Sequence, residues 1–136
     1  MVHVNYVPVV VAALVVFVLG WLWYSPLLFY NPWMRLRGLD PVAAMAGAKM
    51  PAGKLVVELL RCLLLAYFIA RFVALLGIAG WMGAVHFGFM VWIAFPVILL
   101  TGSVLWENIP WKVAAIHAGD WLVKLLVISV IVSVWS

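Results

Sequence analysis

The sequence is poor in charge. Asp, Glu, Lys and Arg make up 9% of its 136 residues against 70% hydrophobic, and mean hydropathy is +1.28. Soluble domains are about a quarter charged and about half apolar, so an ordinary water-soluble enzyme and a disordered tail are both excluded. Cysteine is nearly absent as well. The single Cys62 lies inside an apolar run, which rules out an internal disulfide, a disulfide-stapled secreted domain and a thiolate metal site. No glycine-rich phosphate loop is present, and no stretch alternates apolar and polar residues as a membrane barrel strand would. His3, His86 and His117 do not share a segment, so no metal site and no haem held by a facing histidine pair is expected. Ser25 and Ser103 have no base nearby in sequence, which argues against a serine nucleophile. Neither enzyme chemistry nor a cofactor is expected.

What the chain has instead is long apolar runs. Four stretches, at about 4–24, 55–76, 81–103 and 111–135, approach the roughly 20 residues that cross a bilayer core. The chain therefore reads as all-α, an integral membrane four-helix bundle forming one transmembrane domain over residues 1–136. The first run lacks a basic leader and a small-residue cleavage site, so it reads as a retained helix. Four spans put the connections 26–54 and 104–110 on one side. Arg35, Arg37, Lys49, Lys54 and Lys112 lie there or at the adjoining helix start, and the other side has no loop Lys or Arg. The positive-inside bias then makes those connections cytoplasmic and both termini external, in the cell inner membrane. The same flanks account for the net charge of +4, so the lipid bilayer is the expected partner and nucleic acid is not. Nine tryptophans, mostly near helix ends, suit the membrane interface.

The 26–54 connection has room for structure of its own. Asp40-Pro41 is a helix-start signal, residues 42–46 favour helix, and Met50-Pro51-Ala52-Gly53 stops it. A short interfacial helix is expected there. The stretches Leu28–Arg35 and Leu105–Lys112 both read as aromatic, Asn, Pro, Trp, then a base. An internal duplication and a shared chemistry of helix exits both account for that.

Ionisable residues within a span are costly and normally face the bundle interior. His117, Asp120 and Lys124 are spaced i, i+3 and i+7 and form one stripe on the last helix. Asp120 and Lys124 suit an i,i+4 ion pair with the acid first. Glu58 and Arg61 share a face of the second helix at about the level of His117. Arg71 and His86 fall near the opposite end. Joined together, Glu58, Arg61, His117, Asp120, Lys124, Arg71 and His86 would make a polar track across the membrane. Gly80, Ala84 and Gly88 form a small-residue stripe suited to close packing within the bundle or to a homodimer seam. Pro96 removes one backbone bond and predicts a kink.

The stretch Gly20-Trp21-Leu22-Trp23-Tyr24-Ser25-Pro26-Leu27-Leu28-Phe29, with Trp33-Met34 beyond, resembles the opening signature of a bacterial membrane family, domain of unknown function 1761. Leu105-Trp106-Glu107 and Ile116-His117-Ala118-Gly119-Asp120-Trp121-Leu122-Val123 resemble its second half. Asp120 departs from the family pattern, which more often has an aromatic there. The resemblance implies four spans and a bacterial inner membrane, and it carries over no catalytic residue.

Two functions fit the residues. One is a non-enzymatic membrane scaffold or partner subunit, with a buried charge network that holds the bundle together. The other is a small oligomeric transporter or channel, proton-coupled through the track, in which a homodimer or a partner membrane protein helps to enclose a path.

Overall fold

The computed structural model describes residues 4–25, 28–40, 42 and 52–135. Five helices and no strands are found among them. They are α1 (Tyr6–Trp23), α2 (Tyr30–Leu36), α3 (Ala52–Leu76), α4 (Gly80–Glu107, with a π-helical turn at Ile93–Val97) and α5 (Trp111–Val134). α1, α3, α4 and α5 are each long and apolar enough to cross a bilayer. The protein is a multi-pass membrane protein. Its two ends are called below the loop side, which carries α2 and residues 108–110, and the terminal side.

Local chemistry sets each boundary. The Asn5 side chain caps α1 by accepting from the Val7 N–H at 3.2 Å. α1 stops at Trp23, where the Ser25 hydroxyl donates to the Leu22 carbonyl at 2.6 Å. The Phe29 N–H then reaches back to the Trp23 carbonyl and the Tyr30 N–H to the Ser25 carbonyl. That fold-back starts α2 immediately, with Pro32 tolerated in its first turn. α2 precedes the stretch 42–46, and the helix expected over that stretch lies, apart from Val42, outside the described residues. Asp40 does accept from the Val42 N–H at 3.1 Å. The end of α3 is a Schellman turn: Gly77 (φ 66°) donates to the Ala74 carbonyl and Ile78 to the Val73 carbonyl. Asn108 closes α4 in the left-handed region (φ 58°).

α5 is the central element, touching α1, α3 and α4 as well as α2. α1, α3 and α5 pack mutually into a three-helix core, and α4 leans on α5 from outside and is the least buried span. Small side chains set the α1–α3 seam. Ala12, Ala13 and Ala66 are fully buried, with Val9, Val16, Ile69, Ala70 and Val73 beside them. In a bilayer, close backbone approach is what drives such contacts. Leu125, Ile128 and Val132 close the core from α5.

The small-residue stripe of α4 is only partly a packing surface. Ala84 and Gly88 are buried against α5, and a Cβ on Gly88 would come within 3.2 Å of the Leu125 carbonyl and Leu126 Cδ2. Gly80 does not join them. It is exposed, has nothing within 4 Å of a Cβ, and opens α4 at φ 79°, so its use is conformational. Pro96 is buried within the π-helical turn. The widened turn takes up the bond that proline cannot donate.

Candidate functional site

The polar stripe of α5 faces the three-helix core near the loop side. Asp120 Oδ2 and Lys124 Nζ are 3.0 Å apart, with side chains only 8% and 9% exposed. Lys124 Nζ also approaches Glu58 Oε1 of α3 at 3.7 Å, and Glu58 Oε2 accepts from Arg61 Nη1 at 2.6 Å. The lysine needs space against α1. Gly20 supplies it, since a Cβ there would lie 3.5 Å from Lys124 Cε and 3.9 Å from Asp120 Oδ1. The Nζ further sits 5.5 Å from the Trp121 ring centre, in cation–π range.

Tyr24, one residue past α1, lies beside this network. Its hydroxyl hydrogen-bonds His117 Nδ1 at 2.6 Å. Arg61, Glu58, Lys124 and Asp120 thus tie α3 to α5, and Tyr24 with His117 ties the end of α1 to α5 next to them. Tyr24→Phe keeps the ring against Trp33, 4.9 Å away, and deletes only the hydroxyl's bond to His117. Thermal unfolding in detergent should show a loss of about 1–2 kcal/mol, and an unchanged midpoint would mean that this bond does not tie α1 to α5.

Two crevices touch these groups. One, of about 320 Å³, opens sideways between α3 and α5 and is lined by Glu58, Arg61, Lys124, Leu64, Phe68 and Trp121 among others. The second, of about 560 Å³, lies at the loop side, with Trp33, Arg37, Pro110 and His117 in its wall. The Arg37 guanidinium stacks over Trp33 there, at 5.0 Å. Asp120 lines neither crevice.

Arg71 and His86 do not join the network. Arg71 is exposed and donates to its own helix neighbour, the Tyr67 hydroxyl, at 3.1 Å. The cause is helical phase: at 100° per residue, thirteen residues carry Arg71 about 220° around α3 from Glu58. His86 is exposed because it sits about 200° from both Ala84 and Gly88, the residues that face α5. The expected track therefore stops partway. Among the described residues, Asp120 and Lys124 are the buried charged side chains. Beyond them toward the terminal side the core is apolar save for the hydroxyls of Ser129 and Ser133.

Two indole bonds fix α5 on either side of His117. Trp23 Nε1 donates to the Ile116 carbonyl at 3.0 Å and Trp92 Nε1 to the Ala118 carbonyl at 2.8 Å. The Trp23 ring lies directly on Gly119, where a Cβ would meet Cζ2 at 2.6 Å. Ser25 is buried, and Pro26 lies outside the described residues. The signature residues Trp23 and Tyr24 thus meet Ile116, His117 and Gly119 of the second-half motif, 93 or more positions away along the chain. The family model described as "Protein of unknown function (DUF1761)" matches residues 7–133. The chain belongs to this family. No curated protein and no solved structure matches it. Within the DUF1761 chain, sequence reasoning grouped the α5 stripe with Glu58 and Arg61 but did not give Tyr24, Gly20 or Trp92 a place in the site. Trp92 carried a signal, since it lies deep in a span rather than at an end where tryptophan is commonplace.

Proposed function

We propose that this DUF1761 protein is a non-enzymatic membrane module, a scaffold or partner subunit, whose polar network locks the loop-side half of its helices in register. The observation that carries this reading is the extent of the network. It links α3 to α5 through Glu58, Lys124 and Asp120, with the end of α1 held alongside by Tyr24 on His117, and it ends beneath an apolar core. A transport path would need the groups to continue toward Arg71 and His86, which point outward instead. With Arg35, Arg37 and Lys112 on the loop side, the positive-inside bias supports a cytoplasmic loop side and external termini in the inner membrane.

Proteoliposomes test the reading. Under an imposed pH or ion gradient the wild type should pass no more flux than empty vesicles. Flux that disappears in an Asp120→Asn variant still folded by circular dichroism would overturn the module in favour of a proton-coupled transporter.

A further inference from the structure

We propose that the crevice between α3 and α5 binds a glycerophospholipid, its phosphate held by Arg61 and an acyl chain laid along Leu64, Phe68 and Trp121. The site does not depend on the scaffold reading, because its features are those of the crevice alone.

The opening is lateral. Leu64 and Phe68, which line it, are 58% and 51% exposed, on a helix whose outer surface meets lipid. Its polarity follows that of a phospholipid. Glu58 and Arg61 lie nearest the loop side, Leu64 and Leu65 follow one turn deeper than Arg61, and Phe68 one turn deeper again. A headgroup at the Arg61 level therefore puts its chain against apolar side chains. The charge is complementary too. Arg61 and Lys124 line the crevice against the single carboxylate Glu58, while Asp120 sits behind Lys124 and outside the lining.

Among these groups Arg61 is the one free to take a phosphate. Its side chain is 58% exposed, and its bond to Glu58 uses one terminal nitrogen, Nη1. Most of the guanidinium donors remain, in the planar fork that matches phosphate oxygens. A cationic headgroup fits poorly, because Glu58 is already shared between Arg61 and Lys124. The aliphatic and aromatic wall favours a phosphate that carries a chain over a free one.

Native mass spectrometry of the full chain in detergent tests this with phosphatidylglycerol, a diacylglycerol of the same chains, and inorganic phosphate. Wild type should retain one phosphatidylglycerol saturably. Arg61→Gln should weaken retention about tenfold, and Leu64→Trp, which fills the crevice from an exposed position, should lose the lipid while keeping its melting temperature. Arg71→Gln, ten residues further along α3 and outside the crevice lining, should bind like wild type. If Arg61→Gln fails to fold, Leu64→Trp decides alone. Equal retention by Leu64→Trp and wild type would overturn the site. So would equal retention by Arg61→Gln and Arg71→Gln, or diacylglycerol binding as tightly as phosphatidylglycerol. Inorganic phosphate binding as tightly as the lipid would overturn the lipid as its source.

Discussion

Lys124→Met lowers stability by about 3–5 kcal/mol, the usual cost of removing one partner of a buried ion pair. Methionine keeps most of the side-chain volume against Gly20 and Trp121, so the loss reports charge rather than a cavity. It leaves the Asp120 carboxylate, 8% exposed, without its cation. Asp120→Asn costs less. The Lys124 ammonium then still has Glu58 at 3.7 Å and the Trp121 ring at 5.5 Å, and the asparagine amide oxygen can still accept from it. Chemical unfolding in detergent or lipid should therefore rank the two variants, Lys124→Met below Asp120→Asn. The reverse order would mean that Asp120, not Lys124, joins the helices.

Gly119→Ala is expected to destabilise by about 1–3 kcal/mol, as overpacking does, although alanine is the better helix former by about 0.8–1 kcal/mol. The new Cβ would lie 2.6 Å from Trp23 Cζ2 and 3.0 Å from Cη2. The ring has little freedom to withdraw. Its Nε1 is held by the Ile116 carbonyl, and Phe29 lies against it with ring centres 4.5 Å apart. Gly102→Ala is the matched control, a helical glycine with nothing within 4 Å of its Cβ position, where propensity alone acts and stability should rise. Thermal melts of the two variants should move in opposite directions. If Gly119→Ala also gains stability, the Trp23 contact is not fixed as described.

The spans were legible because their signal is long and local. About twenty apolar residues read as a helix whatever they pack against, and the ends were recovered to within a few residues. The Asp120–Lys124 pair was legible for the same reason, since i,i+4 spacing on one helix needs no tertiary knowledge. Residues related through tertiary structure were not. Arg71 matched the depth of His86 but not the facing side of α3, because depth follows from counting while facing also depends on which stripe turns inward. The stripe that does turn inward is marked by Cys62, Ala66, Ile69, Ala70 and Val73, small and branched side chains that a hydropathy reading does not separate from their neighbours. Tyr24 meets His117 across 93 positions, and no spacing rule reaches that far. Gly80 matched the small-residue rhythm of Ala84 and Gly88 yet serves the turn before α4, so rhythm alone did not separate packing from conformation.

The proposed role of the buried charges is to hold α3 to α5 and to carry nothing across the membrane. A double-mutant cycle on Asp120 and Lys124, followed by chemical unfolding in lipid, tests it most directly. With Asp120→Asn and Lys124→Met combined, no buried charge is left stranded, and most of the single-variant loss should be regained, a coupling of about 0.5–3 kcal/mol. Losses that simply add, or single variants as stable as the wild type, would contradict a structural lock.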